Sequence, residues 1–271
     1  MTIEYSGKGD PARSLALLWR TSERTSRKGK PDLSVDRIVR AAIEVADAEG
    51  LQALSMRRVA ERLGVGTMSL YTYVPGKPEL LDVMLDTVYG ETGYGETGYG
   101  ETGYGETAKP AESPGDWRAR LTLIAKENWA LYQRHPWLLQ VATNRPVLGP
   151  NTTAKYDYEL RAVDGIGLTD VEMDSVITLV TGFVHGTARG AVEAAQAESQ
   201  TGLTDEQWWA AHAPFLSRIS DASRWPTASR VGQAAAETLG GAYSAEHAFE
   251  FGLERVLDGI DALITRRAAS A

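Results

Sequence analysis

The feature that most constrains the fold is a pair of short helix-patterned stretches separated by Gly64-Val65-Gly66. Ser55 is a residue type that caps helices, and apolar residues then recur at helical spacing up to Leu63. A second stretch begins near Thr67 and ends before Pro75. Glycine permits a sharp turn between the two, so the pattern predicts a helix-turn-helix. The apolar residues that would pack its helices crosswise are Val59, Ala60, Leu63, Leu70 and Val74.

Helical spacing also dominates the rest of the chain, and few runs alternate as a strand would. A cap at Ser34 opens a helix that Gly50 closes. Another runs from Lys77 to Val88, with Pro78 tolerated in its first turn. The fold class is therefore predicted to be all-α. Further helices are predicted at about 116–134, 152–163, 169–195 and 244–267, with one around Trp208 followed by a Ser/Ala/Gly-rich connection.

Length and composition bound the kind of protein. The 271 residues, 43% of them hydrophobic, can bury one large core or two modest ones, and two regions are expected. The chain has no cysteine, which excludes disulfides and thiolate metal sites. No apolar run is long enough to span a membrane, and the first residues, which include Glu4, lack the apolar core of a secretory signal. These features predict a cytoplasmic protein with no membrane attachment.

The net charge of −8 is unevenly distributed. Residues 1–80 hold 13 basic and 10 acidic side chains, whereas the remainder holds 15 basic and 26 acidic ones. A weakly basic head and an acidic body fit a protein whose head approaches phosphates, although chance clustering gives the same balance. Residues 1–32 are predicted to be a basic flexible arm that either contacts DNA or stays a solvated tail.

Four copies of Tyr-Gly-Glu-Thr follow the helix that begins at Lys77, and they start at Tyr89, Tyr94, Tyr99 and Tyr104. Their five-residue period matches neither a helix nor a strand, and the glycines disfavour both. The tyrosines would suit base stacking, but each copy carries a glutamate that repels phosphate. The repeat is interpreted as a tolerated loop insertion, and residues 89–115 as a linker.

The second helix of the pair presents an outward face that is small and polar enough to enter a major groove. Arg57 and Arg58 on the first helix lie near the same groove, where arginine suits guanine recognition. A glycine-turned helical hairpin alone is not specific for DNA. The outward side chains of the second helix are Thr67, Met68, Ser69, Thr72 and Tyr73. Groups suited to phosphate contacts are the hydroxyls of Ser55, Tyr71 and Tyr73 and the ammonium of Lys77.

The head resembles the DNA-binding domain of the tetracycline-repressor family through about residues 33–88. The segments that carry the resemblance are DAEGL at 47–51, LSMRRVA at 54–60, LGVGTMSLYTYV at 63–74 and KPELL at 77–81. The resemblance implies a three-helix reader of a double-stranded DNA operator, followed by a linking helix. The side chains it implies face bases are Arg57, Thr67, Met68, Ser69 and Thr72. Those it implies lie against the DNA backbone are Ser55, Tyr71, Tyr73 and Lys77.

The body, residues 116–271, offers a face for dimerisation. Glycines recur every four positions on its long helix, and the final helix carries one apolar stripe with charges elsewhere. Two such helices from each subunit would form a four-helix bundle across a two-fold axis, as family members do, although packing within one subunit is the alternative. The predicted homodimer interface consists of Gly182, Gly186, Gly190, Phe249, Leu253, Val256, Leu257, Ile260 and Ile264.

The other body helices are rich in aromatic residues. Such residues are usually core, but as a group with a polar handle they also line small-molecule cavities. Short motifs at 135–137 (HPW), 145–146 (RP), 149–150 (GP) and 182–183 (GF) resemble the effector-binding C-terminal domain of the same family. The candidate effector-binding residues are Trp129, Tyr132, Trp137, Val141, Tyr156, Phe183, His185 and Trp208.

The predicted function is a DNA-binding repressor that a small organic effector releases from its operator. The founding family member places a magnesium-binding histidine just before its Arg-Pro pair, where this chain has Val141. No metal or cofactor is therefore predicted, and the effector is expected to be an aromatic or polyketide-like molecule. A regulator controlled by a protein partner is the alternative. An enzyme is disfavoured because the four histidines show no catalytic spacing or motif.

Overall fold

The computed structural model describes residues 4–21, 33–92, 117–142, 145–219, 222–241 and 243–270. Within these ranges the regular secondary structure is helical apart from two strands of two residues each, so the predicted all-α class is confirmed. The chain divides into two compact units, residues 1–177 and 178–271. None of the helices in the described ranges has the length and hydropathy of a membrane span.

The first unit contains the elements of the head, followed by those at the beginning of the body. Short 3-10 turns occupy Leu51–Ala53, Gly90–Thr92 and Pro136–Gln140. In chain order the elements are β1 (Glu4–Tyr5), α1 (Pro11–Leu18), α2 (Val35–Glu49), α3 (Met56–Leu63), α4 (Thr67–Leu70), α5 (Lys77–Tyr89), α6 (Trp117–Arg134), β2 (Val141–Ala142), α7 (Pro150–Arg161) and the first turns of α8 (Asp170–Thr201). The second unit holds the rest of α8 with α9 (Asp205–Ile219), α10 (Pro226–Leu239) and α11 (Ala245–Ser270).

Local signals fix the boundaries of α2 and α3. The hydroxyl of Ser34 accepts a hydrogen bond from the Arg37 backbone N–H at 3.2 Å, and that of Ser55 accepts one from the Arg58 N–H at 3.1 Å. Each cap satisfies a donor that the first turn of a helix leaves unpaired. Gly64 ends α3 with φ +67°, a left-handed conformation that glycine adopts without strain. Both helices therefore lie where the sequence predicted them.

Helix α4 is shorter than the predicted stretch to about Tyr73. It ends at Leu70, whose carbonyl accepts hydrogen bonds from the N–H groups of Tyr73 at 2.9 Å and Val74 at 2.8 Å. The bond from Tyr73 spans three residues, as in a 3-10 turn, and ends the helix. The burial of Val74 then holds this turn against the head. The predicted Ser/Ala/Gly-rich connection after α9 is also corrected, because residues 226–239 form α10, with proline at its start and a run of alanines.

The N-terminal segment is folded in residues 4–21, contrary to the prediction of a flexible arm. β1 pairs in parallel with β2, with Glu4 opposite Val141, and α1 packs on α5. Asp82 of α5 receives hydrogen bonds from the Gly7 N–H at 2.9 Å and the Ser14 hydroxyl at 3.2 Å. Buried polar partners in distant parts of the chain therefore order this segment. Residues 22–32 of the predicted arm lie outside the described residues.

Helices on both sides of the predicted linker share one core. Leu131, Trp137 and Val141 belong to the same buried cluster as the apolar residues of α2, α3 and α5. The first copy of the tyrosine repeat is not a loop, because Tyr89 ends α5 and residues 90–92 form a 3-10 turn. The remaining copies lie outside the described residues. The head and the first body helices share this core, and the two compact units divide within α8.

Helix α5 also connects to α7 through a buried carboxylate. Asp86 accepts hydrogen bonds from the backbone N–H and the hydroxyl of Thr152, both at 2.9 Å, in the first turn of α7. Asp86 thereby caps a helix that belongs to another part of the chain. Burial raises the pKa of Asp86, and the hydrogen bonds to Thr152 oppose that rise. The contact ties the linking helix to the body.

Candidate functional site

Helices α3 and α4 pack as the helix-turn-helix pattern requires. The side chains of Val59, Ala60, Leu70 and Val74 are buried in the core of the head, and Leu63 is partly buried against it. The turn between the helices follows Gly64, and the Val65 N–H bonds back to the carbonyl of Ala60 at 3.1 Å. The apolar faces of both helices therefore point into the core of the head, which leaves the other face of α4 open to a partner.

The outward face of α4 and of the turn after it carries most of the predicted base-facing residues. Met68 is 78% exposed, and Ser69 and Thr72 are also exposed. Tyr71 is 45% exposed, whereas Thr67 and Tyr73 are half-buried. The surface has hydroxyls, a thioether and phenols but no charged side chain between residues 65 and 76. Such a surface can donate to and accept from base edges, and it can contact a thymine methyl.

The two arginines of α3 are placed differently. Arg57 is 84% exposed and forms one ion pair, from its Nε to Glu61 Oε1 at 2.9 Å along the same helix. Arg58 donates hydrogen bonds to both carboxylate oxygens of Glu49 at the end of α2, at 2.6 Å and 2.9 Å, and also pairs with Glu61. Its guanidinium lowers the pKa of the Glu49 carboxyl through the side-chain hydrogen bond. Arg57 therefore pairs within its own helix, whereas Arg58 connects α3 to α2.

Two predicted phosphate contacts already have intramolecular partners. The Ser55 hydroxyl oxygen accepts from the Arg58 N–H as the cap of α3, although its own hydrogen is still available to donate. Lys77, the first residue of α5, pairs with Glu4 of β1 at 3.0 Å and is half-buried. The sequence pattern did not indicate the second pair, because the two residues are 73 positions apart.

An open cleft of about 460 Å³ lies between α2 and α3, and the sequence analysis did not identify it. Three arginines line it, and one of them, Arg62, donates two hydrogen bonds to Glu44 at 2.8 Å and 3.0 Å. The lining is polar and basic, so the cleft is suited to an anion rather than to the apolar effector that the sequence predicted for the body. The residues that line it are Ser34, Arg37, Arg40, Ala41, Glu44, Arg62 and Leu63.

In the first unit, the structure gives the candidate effector residues different environments. Trp137 is fully buried, and its Nε1 donates to Asp47 Oδ1 at 2.8 Å, so it belongs to the core rather than to an open cage. Val141 is buried in the same cluster, and Tyr132 packs against that cluster. Trp129 is half-buried, whereas Tyr156 is exposed and donates to Asp174 at 2.8 Å. The five residues therefore range from fully buried to exposed.

The three candidate effector residues of the second unit lie on α8 and α9. Phe183 is stacked on Phe249 of α11, with ring centroids 6.2 Å apart. His185 is half-buried, and burial lowers its pKa. Trp208 of α9 is 44% exposed and stacks on His212 at 4.1 Å between ring centroids. Phe183 therefore contributes to the packing of α8 on α11.

A buried polar cluster between α6 and α7 escaped the sequence analysis. Asn128 donates to Glu159 Oε1 at 2.9 Å, and Lys155 forms an ion pair with the same carboxylate. The ring of Tyr89 lies 5.8 Å from the Lys155 ammonium. Burial raises the pKa of Tyr89 to about 12. Amphipathic spacing did not reveal this cluster, because a lysine and a glutamate four residues apart usually mark an exposed helix face.

The predicted dimer face is open at some of its residues and covered at others. Gly182 and Gly186 are exposed, and an added Cβ would meet no atom within 4 Å at either position. Gly190 is covered, because Tyr243 Oη lies 2.8 Å from where its Cβ would be. Most of the α11 stripe is already buried in the single chain, so little of it is left open to a second subunit. Its buried members are Phe249, Leu253, Leu257 and Ile260, and its half-buried members are Val256 and Ile264.

The second unit exposes many apolar side chains. Neither α9 nor α10 has a buried residue in the part that the structure describes. Ile219 is 81% exposed and Phe215 is 63% exposed, and single soluble chains rarely leave such residues open together. Other exposed members are Leu179, Trp208, Leu216, Trp225 and Val231. This surface is of the kind that a second copy covers.

Two known sequence families match the chain. Residues 38–84 match the family described as "Bacterial regulatory proteins, tetR family". Residues 109–264 match the family described as "Tetracyclin repressor-like, C-terminal domain". The unmatched residues between them, 85–108, contain the four Tyr-Gly-Glu-Thr copies.

The matches extend to whole proteins. The "HTH-type transcriptional repressor DrrR1" of Streptomyces coeruleorubidus is 45% identical over 271 residues, which cover 98% of this chain and 91% of that protein. The crystal structure of apo ActR from Streptomyces coelicolor is similar with a TM-score of 0.65 and 26% identity, covering 90% of this chain and all of ActR. ActR in complex with actinorhodin has a TM-score of 0.67 and 27% identity, covering 86% of this chain and 97% of ActR.

Proposed function

Because the chain belongs to the tetracycline-repressor family of transcriptional regulators, we propose that it is a homodimeric repressor whose operator binding is relieved by a small organic molecule. The observation that carries the proposal is the outward face of α4 and the turn after it. Met68, Ser69 and Thr72 are exposed there, while the opposite face of the helix is buried in the head. A short helix of this kind enters the major groove with its side chains against base edges. Arg57 extends the same reading surface from α3.

A homodimer follows from the size of the reading surface. One helix-turn-helix reads few base pairs, and two heads about one DNA turn apart supply the missing specificity. The exposed glycines of α8, Gly182 and Gly186, allow a second helix to approach closely. The exposed apolar residues of α9 and α10 favour the same assembly, because a two-fold partner would remove them from water.

The effector is proposed to be an aromatic organic molecule bound without a metal ion. ActR, a solved relative, has been crystallised with actinorhodin. At position 141 this chain has a buried valine, which offers no metal-binding atom. The body supplies aromatic side chains and the buried Asn128, Lys155 and Glu159 as polar anchors. An apolar wall with a few polar groups is the usual composition of such a site.

Helix α5 is the proposed transmitter between effector and operator. It packs against α2 in the head and α7 in the body, and Asp86 caps the start of α7. A shift of α7 would therefore move α5 and misplace the two reading helices. An effector can drive this shift only by binding the DNA-incompetent arrangement more tightly than the competent one.

The effector proposal is tested with the purified protein on a fluorescent operator fragment selected from genomic DNA. Native mass spectrometry first identifies any molecule that co-purifies, and actinorhodin is then added as the first probe. Release of the fragment by an organic molecule supports the proposal. A protein that stays bound through all organic extracts but is released by a protein fraction supports the alternative, control by a protein partner.

Two substitutions separate base reading from phosphate contact. Arg57→Ala is expected to weaken binding to the preferred operator sequence by about 1–3 kcal/mol and to relax the sequence preference at one base pair. Lys77→Ala is expected to weaken binding to all DNA sequences similarly. It should also reduce the slope of log affinity against log salt concentration, the salt slope, by about 1. Binding isotherms on a set of operator variants at several salt concentrations measure both effects.

Glu4→Gln is the matched control for the lysine variant, because it releases Lys77 from its ion pair without removing the ammonium. Its salt slope is expected to equal that of the unsubstituted protein. Uniform losses on every sequence from both Arg57→Ala and Lys77→Ala would contradict the assigned roles.

A further inference from the structure

His135 is a buried residue to which the proposed function assigns no role. It precedes the 3-10 turn Pro136–Gln140 and is 3% exposed. Its Nδ1 lies 2.7 Å from Asp47 Oδ1, and its Nε2 lies 2.9 Å from Glu91 Oε2. A carboxylate therefore faces each ring nitrogen. We call this group, with the neighbouring Arg134 and Trp137, the His135 latch.

The geometry selects the protonated ring. A neutral imidazole has one N–H donor and one acceptor, whereas both nitrogens of an imidazolium donate. With a carboxylate at each nitrogen, only the imidazolium pairs with both partners. Burial alone lowers the pKa of His135, but its hydrogen bonds to Glu91 and Asp47 outweigh this and hold the pKa above its ordinary value of 6.5.

The latch joins three segments that the regulatory mechanism must keep in register. Asp47 lies in the last turn of α2, which is part of the head. Glu91 lies in the 3-10 turn after the linking helix α5, and His135 directly follows α6 of the body. A cation near the carboxyl end of α2 also suits the helix dipole. The His135 ring therefore connects the end of α2 in the head to the 3-10 turn after α5 and to the end of α6.

Other charged groups at the latch are compatible with this role. Arg134 Nη1 pairs with Glu91 Oε2 at 3.2 Å, so Glu91 keeps a cation when the ring is neutral. Trp137 Nε1 donates to the same Asp47 oxygen as the histidine, at 2.8 Å. Loss of the proton leaves one ring nitrogen able to donate to one carboxylate, and the other carboxylate then faces a lone pair.

We propose that His135 is a positioning residue whose imidazolium fixes the DNA-reading head on the body and thereby makes operator binding depend on pH. The proposal rests on the proposed function as a DNA-binding dimer. Two heads that are fixed at the spacing of two half-sites bind without a further ordering cost, whereas loosened heads bear that cost on binding. Deprotonation of His135 should therefore weaken operator binding.

The sign follows from the raised pKa of His135. The latch contributes its full stabilisation below pH 6.5, the ordinary value, and loses it as the pH rises through the higher value of the folded protein. Residues 1–92 contain no histidine, so a histidine effect on operator binding originates in the body. The other three histidines are His185, His212 and His247, all in the second unit.

The experiment measures operator affinity between pH 6 and pH 8.5 at constant ionic strength. We expect the unsubstituted protein to bind about tenfold more weakly at the upper end, within the usual range for coupling between sites. His135→Asn, whose amide can still donate to Asp47, is expected to give a flat profile at the weaker level. His247→Asn, at an exposed position on α11, should keep the profile of the unsubstituted protein.

Two readouts without DNA separate this inference from the proposed function. The His135 ring signals in NMR should titrate above 6.5, and the melting temperature should decline with pH more steeply in the unsubstituted protein than in His135→Asn. If the protein binds no operator at any pH, the proposed function and the operator-binding role of His135 both fail. If operator binding is normal but its pH profile is the same with and without His135, the positioning role alone is overturned.

Discussion

Replacing Ser69 with glutamate is expected to reduce operator affinity by a factor of about 100 or more, since an acid facing DNA phosphates costs several kcal/mol. Ser69 is exposed on α4 and lies in a stretch, residues 65–76, that has no charged side chain. Because the residue is exposed and does not contribute to the core, the melting temperature should stay within about one degree of the original value. Fluorescence anisotropy on the operator and thermal unfolding measure the two quantities.

Ser69→Gln is the matched control, since glutamine has nearly the size of glutamate without its charge. We expect a loss of at most about tenfold from the glutamine, which removes a small hydroxyl and adds bulk. Ser199→Glu makes the same change at an exposed position of α8 and should leave affinity unchanged. If the Ser69→Glu protein binds the operator with an affinity within about threefold of the original, α4 does not face DNA.

Replacing Gly186 with leucine is expected to dissociate the dimer, with a dissociation constant raised about 100-fold or more. The two-fold axis introduces each substitution twice, and each overpacked contact costs about 1–3 kcal/mol. Within one chain, nothing lies within 4 Å of an added Cβ at this position, and leucine favours a helix more than glycine does. The protomer should therefore fold normally while the association fails. Sedimentation across a range of concentrations measures the dissociation constant.

Gly252→Ala is the contrasting variant on α11. Its added Cβ would overlap the ring of Phe183, so the cost is borne inside the unit. We expect this variant to unfold more easily by about 1–3 kcal/mol, whether it is dilute or concentrated. If Gly186→Leu sediments as the original dimer, the subunits associate through another surface, and the exposed side chains of α9 and α10 become the next candidates.

The sequence was most informative where the determinants are local. Ser34, Ser55 and Gly64 set the boundaries of α2 and α3 through contacts within four residues of each cap. The exposed face of α4 was predictable for the same reason, because its apolar residues occupy helical spacing. Such signals need no information about the rest of the chain.

The sequence failed where the partner is distant. Residues 4–21 lack a strong periodic pattern, and their order depends on Asp82 and on the backbone of residue 142. The ion pairs of Arg58 and Lys77 were missed because their acids lie nine and 73 positions away. The α11 stripe was correctly identified as apolar. Amphipathicity does not say whether a stripe fills its own core or a partner's, and here most of the stripe is already buried in the single chain.

The parallel pairing of β1 with β2 imposes a sequence of events during synthesis. Glu4 bonds alongside Val141, so the first strand has no pairing partner until more than a hundred further residues have been made. At ribosomal rates this delay lasts roughly ten seconds. The reading helices therefore emerge before β1 can pair with β2. A nascent chain arrested ahead of residue 141 would carry a complete helix-turn-helix with an unpaired first strand.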